Sequence, residues 1–109
     1  MNVTDQTMIF KALSDDTRLS IFMALTEETK CACQLLEGFS IAQSTLSHHM
    51  KILIAARLVD AVKQGKWVYY QINEKTCDAL KTWITSIKVS KHKIILCEKT
   101  EKEEHYESI

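Results

Sequence analysis

The sequence predicts a mainly helical fold interrupted once by a two-stranded β-hairpin, in the order helix, helix, helix, helix, strand, strand, helix. Three observations predict it. Apolar residues recur at helical spacing over most of the 109 positions. The stretch 58–72 is instead rich in β-branched and aromatic residues on either side of Gly65. Proline is absent and glycine occurs only at Gly38 and Gly65, so each glycine is expected to mark a turn.

Residues from about Asp5 to Leu13 predict a first short helix with Met8, Ile9 and Leu13 inward. Ser14 reads as the N-cap of a second helix, with Asp15 and Asp16 at the positive end of its dipole. That helix runs to about Glu27, with Leu19, Phe22, Met23 and Leu25 as its apolar face. A third helix spans about Cys31 to Glu37 and is expected to stop at Gly38. After the Phe39-Ser40 turn, a fourth runs from about Ala42 to Ala56, with Leu46, Met50 and Leu53 inward and Ile52 and Ile54 at the edges. Its other face carries Gln43, Ser44, Thr45, Ser47, His48 and Lys51. A short helix, a tight turn and a longer helix with an apolar back and a hydrogen-bonding front form the helix-turn-helix layout.

Leu58 to Val62 and Trp67 to Ile72 predict strands joined by Lys63-Gln64-Gly65-Lys66, with Gly65 supplying the backbone angles of a tight turn. Asn73 caps a last helix, along which Leu80, Trp83/Ile84, Ile87 and Ile94/Ile95 recur; Val89 and Lys91 leave its continuity past residue 88 open. The whole is a winged helix-turn-helix with an added helix at each end, a single domain over 1–97, followed by a charged tail over 98–109 expected to fray. The first and last helices keep apolar faces that a second copy would bury, so a homodimer joined through the terminal helices is expected.

Net charge is zero, yet its distribution is uneven. Residues 1–39 hold three basic and six acidic side chains, residues 40–75 hold five basic and two acidic, and the rest balance at six each. A basic middle is the footprint of a nucleic-acid partner, and a dimer doubles it. On the fourth helix Gln pairs with adenine edges, and Ser and Thr serve bases or phosphates. Lys51 there, with Lys63, Gln64 and Lys66 on the hairpin, completes a candidate surface for double-stranded DNA, the lysines positioning without specifying sequence. His48 and His49 adjoin on the fourth helix, so one is expected to face DNA and the other to lean toward the core. Trp67, Tyr69 and Tyr70 alternate faces on a strand, so some belong to the core. His92 and His105 read as surface residues.

No apolar run approaches the roughly 20 residues of a membrane span. The opening Met1 to Gln6 lacks a secretory layout. A cytoplasmic address without membrane contact is therefore expected. In a reducing compartment, Cys31, Cys33, Cys77 and Cys97 read as free thiols rather than two disulfides. Cys31 and Cys33 are also too close in sequence for an ordinary bridge. On a regular helix they lie about 200° apart, so a shared metal requires the helix to begin between them or distort. Three readings stay open for the pair: a soft-metal or metalloid site, a redox dithiol, or inert residues with one packed and one exposed.

Three stretches resemble the ArsR/SmtB family of metal-sensing repressors. Lys11-Ala12-Leu13-Ser14-Asp15-Asp16-Thr17-Arg18-Leu19 is similar to the family's opening motif, Ala42 to Lys51 to its recognition helix, and Gly65-Lys66-Trp67-Val68-Tyr69-Tyr70 to its wing. The resemblance implies a homodimeric repressor that holds operator DNA without a cofactor until an inducer releases it. In the arsenic-responsive branch the third helix carries Cys-x-Cys-x-x-Cys. Cys31 and Cys33 match the first two positions, but Leu36 stands at the third. As(III) and Sb(III), the inducers this branch implies, favour three thiolates, leaving Cys77, Cys97 or an exogenous thiol as candidates for the third. The zinc-type site of the family's last helix is not matched: Leu80 stands two residues after Asp78, and only His92 falls near the distal positions.

One alternative of the same class and two of other classes stand beside this reading. A thiol redox switch keeps the same fold and replaces metal binding by oxidation. A winged helix used only for protein contact has no need of a basic wing tip beside a Gln/Ser/Thr-faced helix. An enzyme is not expected: a Cys33/His49 pair exists on paper, but no Gly-rich loop, acid pair or motif organises a pocket around it.

Overall fold

The computed structural model describes residues 1–91, and within them the expected order of elements stands with one short strand added. Ile94, Ile95, His92, Cys97, His105 and the charged tail lie outside the described residues.

Helix α1 (Val3–Leu13) starts at Asn2, whose side-chain oxygen accepts the Asp5 N–H at 2.8 Å. It buries Ile9 and Ala12 rather than Met8, which is exposed, or Leu13, which is half-buried. The cap expected at Ser14 belongs one residue later. Ser14 closes α1, its hydroxyl donating to the Lys11 carbonyl at 2.8 Å, while Asp15 caps α2 (Asp16–Glu27). Helix α2 buries Ile21 and Leu25, with Phe22 half-buried. Leu19 and Met23, expected inward, are exposed. The helix carries apolar stripes on two sides, 19/23 and 21/25, and periodicity alone does not say which one meets the core.

Strand β1 (Lys30–Cys31) was not expected. It pairs antiparallel with the second hairpin strand, and helix α3 (Ala32–Phe39) begins at the next residue. Gly38 lies inside α3. Ser40 ends the helix in left-handed conformation at φ 52°. Helix α4 (Gln43–Ala55) buries Leu46, Met50 and Leu53, as its pattern predicts. It ends in a Schellman turn. Arg57 is left-handed at φ 63°, its N–H reaches Ile54 O at 2.8 Å, and the Leu58 N–H reaches Leu53 O at 3.1 Å, with both leucines buried.

The hairpin follows at once. Strands β2 (Val59–Gln64) and β3 (Trp67–Ile72) pair from Val59↔Ile72 to Gln64↔Trp67, leaving Gly65 and Lys66 as a two-residue turn. Gly65 has φ 64°, so its freedom is needed for backbone shape and not for space. Sheet order is β1-β3-β2, all antiparallel. Asn73 then caps α5 (Glu74–Ser86) by accepting the Thr76 N–H, while its amide donates to both Asp60 oxygens, tying the wing base to the last helix. The core joins Ile9, Ile21, Leu35, Met50, Leu53, Leu58 and Val59 from α1, α2, α3, α4 and the start of β2, and Tyr70 packs against it from the wing.

Candidate nucleic-acid interface and the cysteine pair

Helix α4 places its polar residues as its apolar ones require. With Leu46, Met50 and Leu53 fixed against the core, Gln43, Ser44, Thr45, Ser47, His48 and Lys51 are all exposed. Helix α3 packs behind, and the turn at Ser40 to Ala42 sets the two helices as a helix-turn-helix pair. Lys63, Gln64 and Lys66 are exposed at the hairpin tip, so all nine residues expected to meet DNA are free of the core. Trp67 is exposed beside them, whereas Tyr69 and Tyr70 are half-buried.

His48 and His49 separate as expected. His48 is open to solvent, while the His49 side chain is 12% exposed and lies against the start of α2. Its Nδ1 is 3.3 Å from the Arg18 guanidinium and 4.0 Å from Asp15 Oδ2. Arg18 also donates from Nε to Ala12 O at 2.7 Å, reaching the open carbonyls at the end of α1. Asp15 accepts the Arg18 N–H at 3.0 Å, and that bond is the largest cause holding its carboxyl below the usual carboxylate range. These contacts went unread in the sequence. Their signal is the three-residue spacing of Asp15 and Arg18, which makes them the N-cap and third position of α2.

The cysteines correct the sequence reading. Cys31 and Cys33 are joined by a disulfide, with Cα atoms 5.4 Å apart. The sulfurs meet because the helix begins between them. Cys31 is the N-cap, extended at φ −81° and ψ 161°, and only Cys33 has helical geometry. The 200° divergence of a regular helix therefore does not apply. Cys31 is also a reciprocal cap: its sulfur accepts the Gln34 N–H at 3.4 Å, and Gln34 Oε1 accepts the Cys31 N–H at 2.9 Å. Cys31 is 8% exposed and Cys33 is open to solvent, so the pair is reachable from one side.

Among the described residues no group of three or more His, Cys, Asp or Glu side chains is arranged to hold a metal. Leu36, at the family's third sulfur position, packs half-buried against the core. Cys77 lines a separate open groove with Phe22, Leu25, Ile72 and Leu80, and burial pushes its thiol pKa up. Less of it is thiolate, the form that binds metal or is oxidised.

Comparison with known proteins adds to this geometry. The model of the family described as bacterial regulatory protein, arsR family, matches residues 15–61. The chain is 44% identical over 78 residues to an arsenical resistance operon repressor of Staphylococcus aureus, covering 72% of this chain and 75% of that one. It is 43% identical over 72 residues to a protein of the same description from Bacillus subtilis, covering 65% and 69%. In fold it is similar to a homodimeric winged helix-turn-helix DNA-binding domain of Mycobacterium bovis, with a TM-score of 0.67 at 20% identity over 98% of this chain and 86% of that one.

Proposed function

This chain belongs to the arsR family of bacterial regulatory proteins, and on that premise we propose that it is a homodimeric transcriptional repressor released from its operator by a thiol-binding metalloid at Cys31 and Cys33. Regulators of this family are not enzymes. The observation that carries the DNA reading is the exposed row Gln43, Ser44, Thr45, Ser47, His48 and Lys51 on α4, held outward by a fully buried opposite face. Ser, Thr and Gln read or position, and Lys63 and Lys66 neutralise phosphates beside them. A second copy covers Val3, Met8, Phe10, Ile84 and Ile87, apolar side chains left exposed on and beside α1 and α5.

The inducer reading rests on the convergence of the two sulfurs. As(III) arrives as a neutral trihydroxide; each thiol forms one arsenic–sulfur bond and its proton leaves with a displaced hydroxide as water. Two bonds to Cys31 and Cys33 leave one arsenic valence for a sulfur outside these residues, from Cys97, a partner protomer or a small cytosolic thiol. Starting from the disulfide, two electrons and two protons from a thiol reductant come first. Cys31 touches both halves of the reading surface: it caps α3, which packs on α4, and it pairs with Tyr69 of the wing strand. An ion on its sulfur disturbs the Gln34 cap and the strand pairing together. Release requires that the ion bind the low-affinity conformation better, with a typical coupling of about 1–3 kcal/mol.

The disulfide favours a second reading. Two thiols give up two electrons and two protons to an oxidant such as a peroxide, which leaves as water, and the bond replaces the ion. Gel-shift titration of reduced protein on the duplex it selects from a random library tests both. Arsenite is expected to weaken binding about 5–150-fold, the range of ordinary coupling energies. A Cys31→Ser/Cys33→Ser variant is expected to bind DNA and ignore arsenite. Release by peroxide but not by arsenite overturns the metalloid reading in favour of the redox one. Equal response of parent and variant removes the pair from sensing.

A further inference from the structure

We propose that Arg18 and His49 are positioning residues for DNA reading: the bond between them fixes the rotation of α4 about its own axis. The inference rests on α4 being the helix that reads DNA. The buried stripe of α4 is aliphatic and non-directional, so packing alone resists displacement better than roll. Roll matters at the surface. A turn of about 20° sweeps a side-chain tip through about 2 Å at a radius of 5–6 Å, enough to break a hydrogen bond to a base edge.

The directional restraint is the Arg18 nitrogen 3.3 Å from His49 Nδ1, joining positions 31 residues apart in sequence. Its other end is anchored. The same guanidinium donates to Ala12 O at 2.7 Å and Lys11 O at 3.5 Å, and the Arg18 N–H is held by Asp15 at 3.0 Å. A planar fork fixed on the α1–α2 junction thus aims its remaining nitrogen at α4. A lysine ammonium does not reproduce three such directions. His49 is next in sequence to His48, so the brace acts one residue, about 100° around the helix, from the exposed face.

Guanidinium only donates, so His49 Nδ1 accepts, with its proton on Nε2. The charged groups facing His49 are Arg18 and Asp15 from α2 and its cap, and His48 lies beside it on α4, with ring centroids 5.8 Å apart.

The test compares the selected duplex with a random one, using His49→Leu, His49→Gln and Arg18→Lys. His49→Leu is expected to lose about tenfold in affinity for the selected duplex, with random DNA unchanged. His49→Gln keeps an acceptor and is expected to recover most of the loss. Arg18→Lys, whose ammonium does not hold the three directions, is expected to lose selectivity to a similar extent. Should His49→Leu fail to fold, Arg18→Lys and His49→Gln decide together. Unchanged selectivity in a folded His49→Leu or Arg18→Lys protein, or a loss in His49→Gln as large as in His49→Leu, overturns the brace. A parent that prefers no duplex overturns the DNA reading itself, an outcome distinct from either.

Discussion

Helices α4 and α5 are both 13 residues long and both amphipathic, yet they pack in opposite ways. Helix α4 buries Leu46, Met50 and Leu53 and turns its polar residues outward. Helix α5 buries no residue fully: Trp83 leans half-buried on Phe10 of α1 with rings 5.8 Å apart, and Ile84 remains 50% exposed. One helix is completed by its own chain; the other presents an apolar face that the described residues leave open. The difference teaches where stability and assembly divide in the proposed dimer. The helix proposed to read DNA is part of the core, and the helix proposed to join two copies is not.

The sharpest way to break that contrast is to truncate equivalent residues. Leu53→Ala in α4 is expected to cost about 2–5 kcal/mol, the range for a buried leucine, read by urea denaturation. Ile84→Ala is expected to leave the unfolding of a dilute, monomeric sample nearly unchanged, within about 0.5 kcal/mol. Assembly should respond the other way. Ile84→Ser with Ile87→Ser is expected to raise the dimer dissociation constant at least tenfold in sedimentation equilibrium, since a large aliphatic side chain withdrawn from water contributes about 1.5–3 kcal/mol. Leu53→Ala, measured where it still folds, should leave that constant within about twofold.

The smallest effect sharpens the comparison at the end of α4's support. Asp15 has a depressed folded-state pKa, so its contribution to stability is fully present above the ordinary carboxylate range. It is lost as pH falls through the lowered value. Asp15→Asn keeps the cap oxygen and removes the titration. Its melting temperature should therefore fall less than the parent's on going from pH 5 to pH 2.5, by a few degrees at most.

The elements with one possible inward face were legible in the sequence. Helix α4, the hairpin, the Gly65 turn and the Asn73 cap follow from residues whose chemistry admits one placement. Helix α2 was misread because 19/23 and 21/25 are equally apolar, and only the packed neighbours choose. Ser40 and Arg57 hold left-handed backbone without glycine, so a rule that looks for glycine at helix ends selected Gly38 instead. Strand β1 is two residues long and gains its identity from a partner some 40 positions away, which no local pattern encodes. That strand is also why a bridge between the cysteines was not expected: extended backbone at Cys31 starts the helix between them, which is the condition under which the two thiols converge. All nine residues expected to meet DNA are exposed: six were chosen as the complement of the buried stripe of α4, and Lys63, Gln64 and Lys66 as the tip of a hairpin.

The Schellman turn at Arg57 has a mechanical consequence. It passes directly from the last turn of α4 into β2, with Ala56, Leu58 and Val59 all buried, so no slack separates the helix from the wing. The two then behave as the jaws of a caliper set to one opening. Under the proposed DNA reading, a duplex fits when its groove width and curvature bring a major-groove edge and a neighbouring phosphate to that separation. Sequences stiff in the wrong shape are then expected to bind less well even where every touched base is correct.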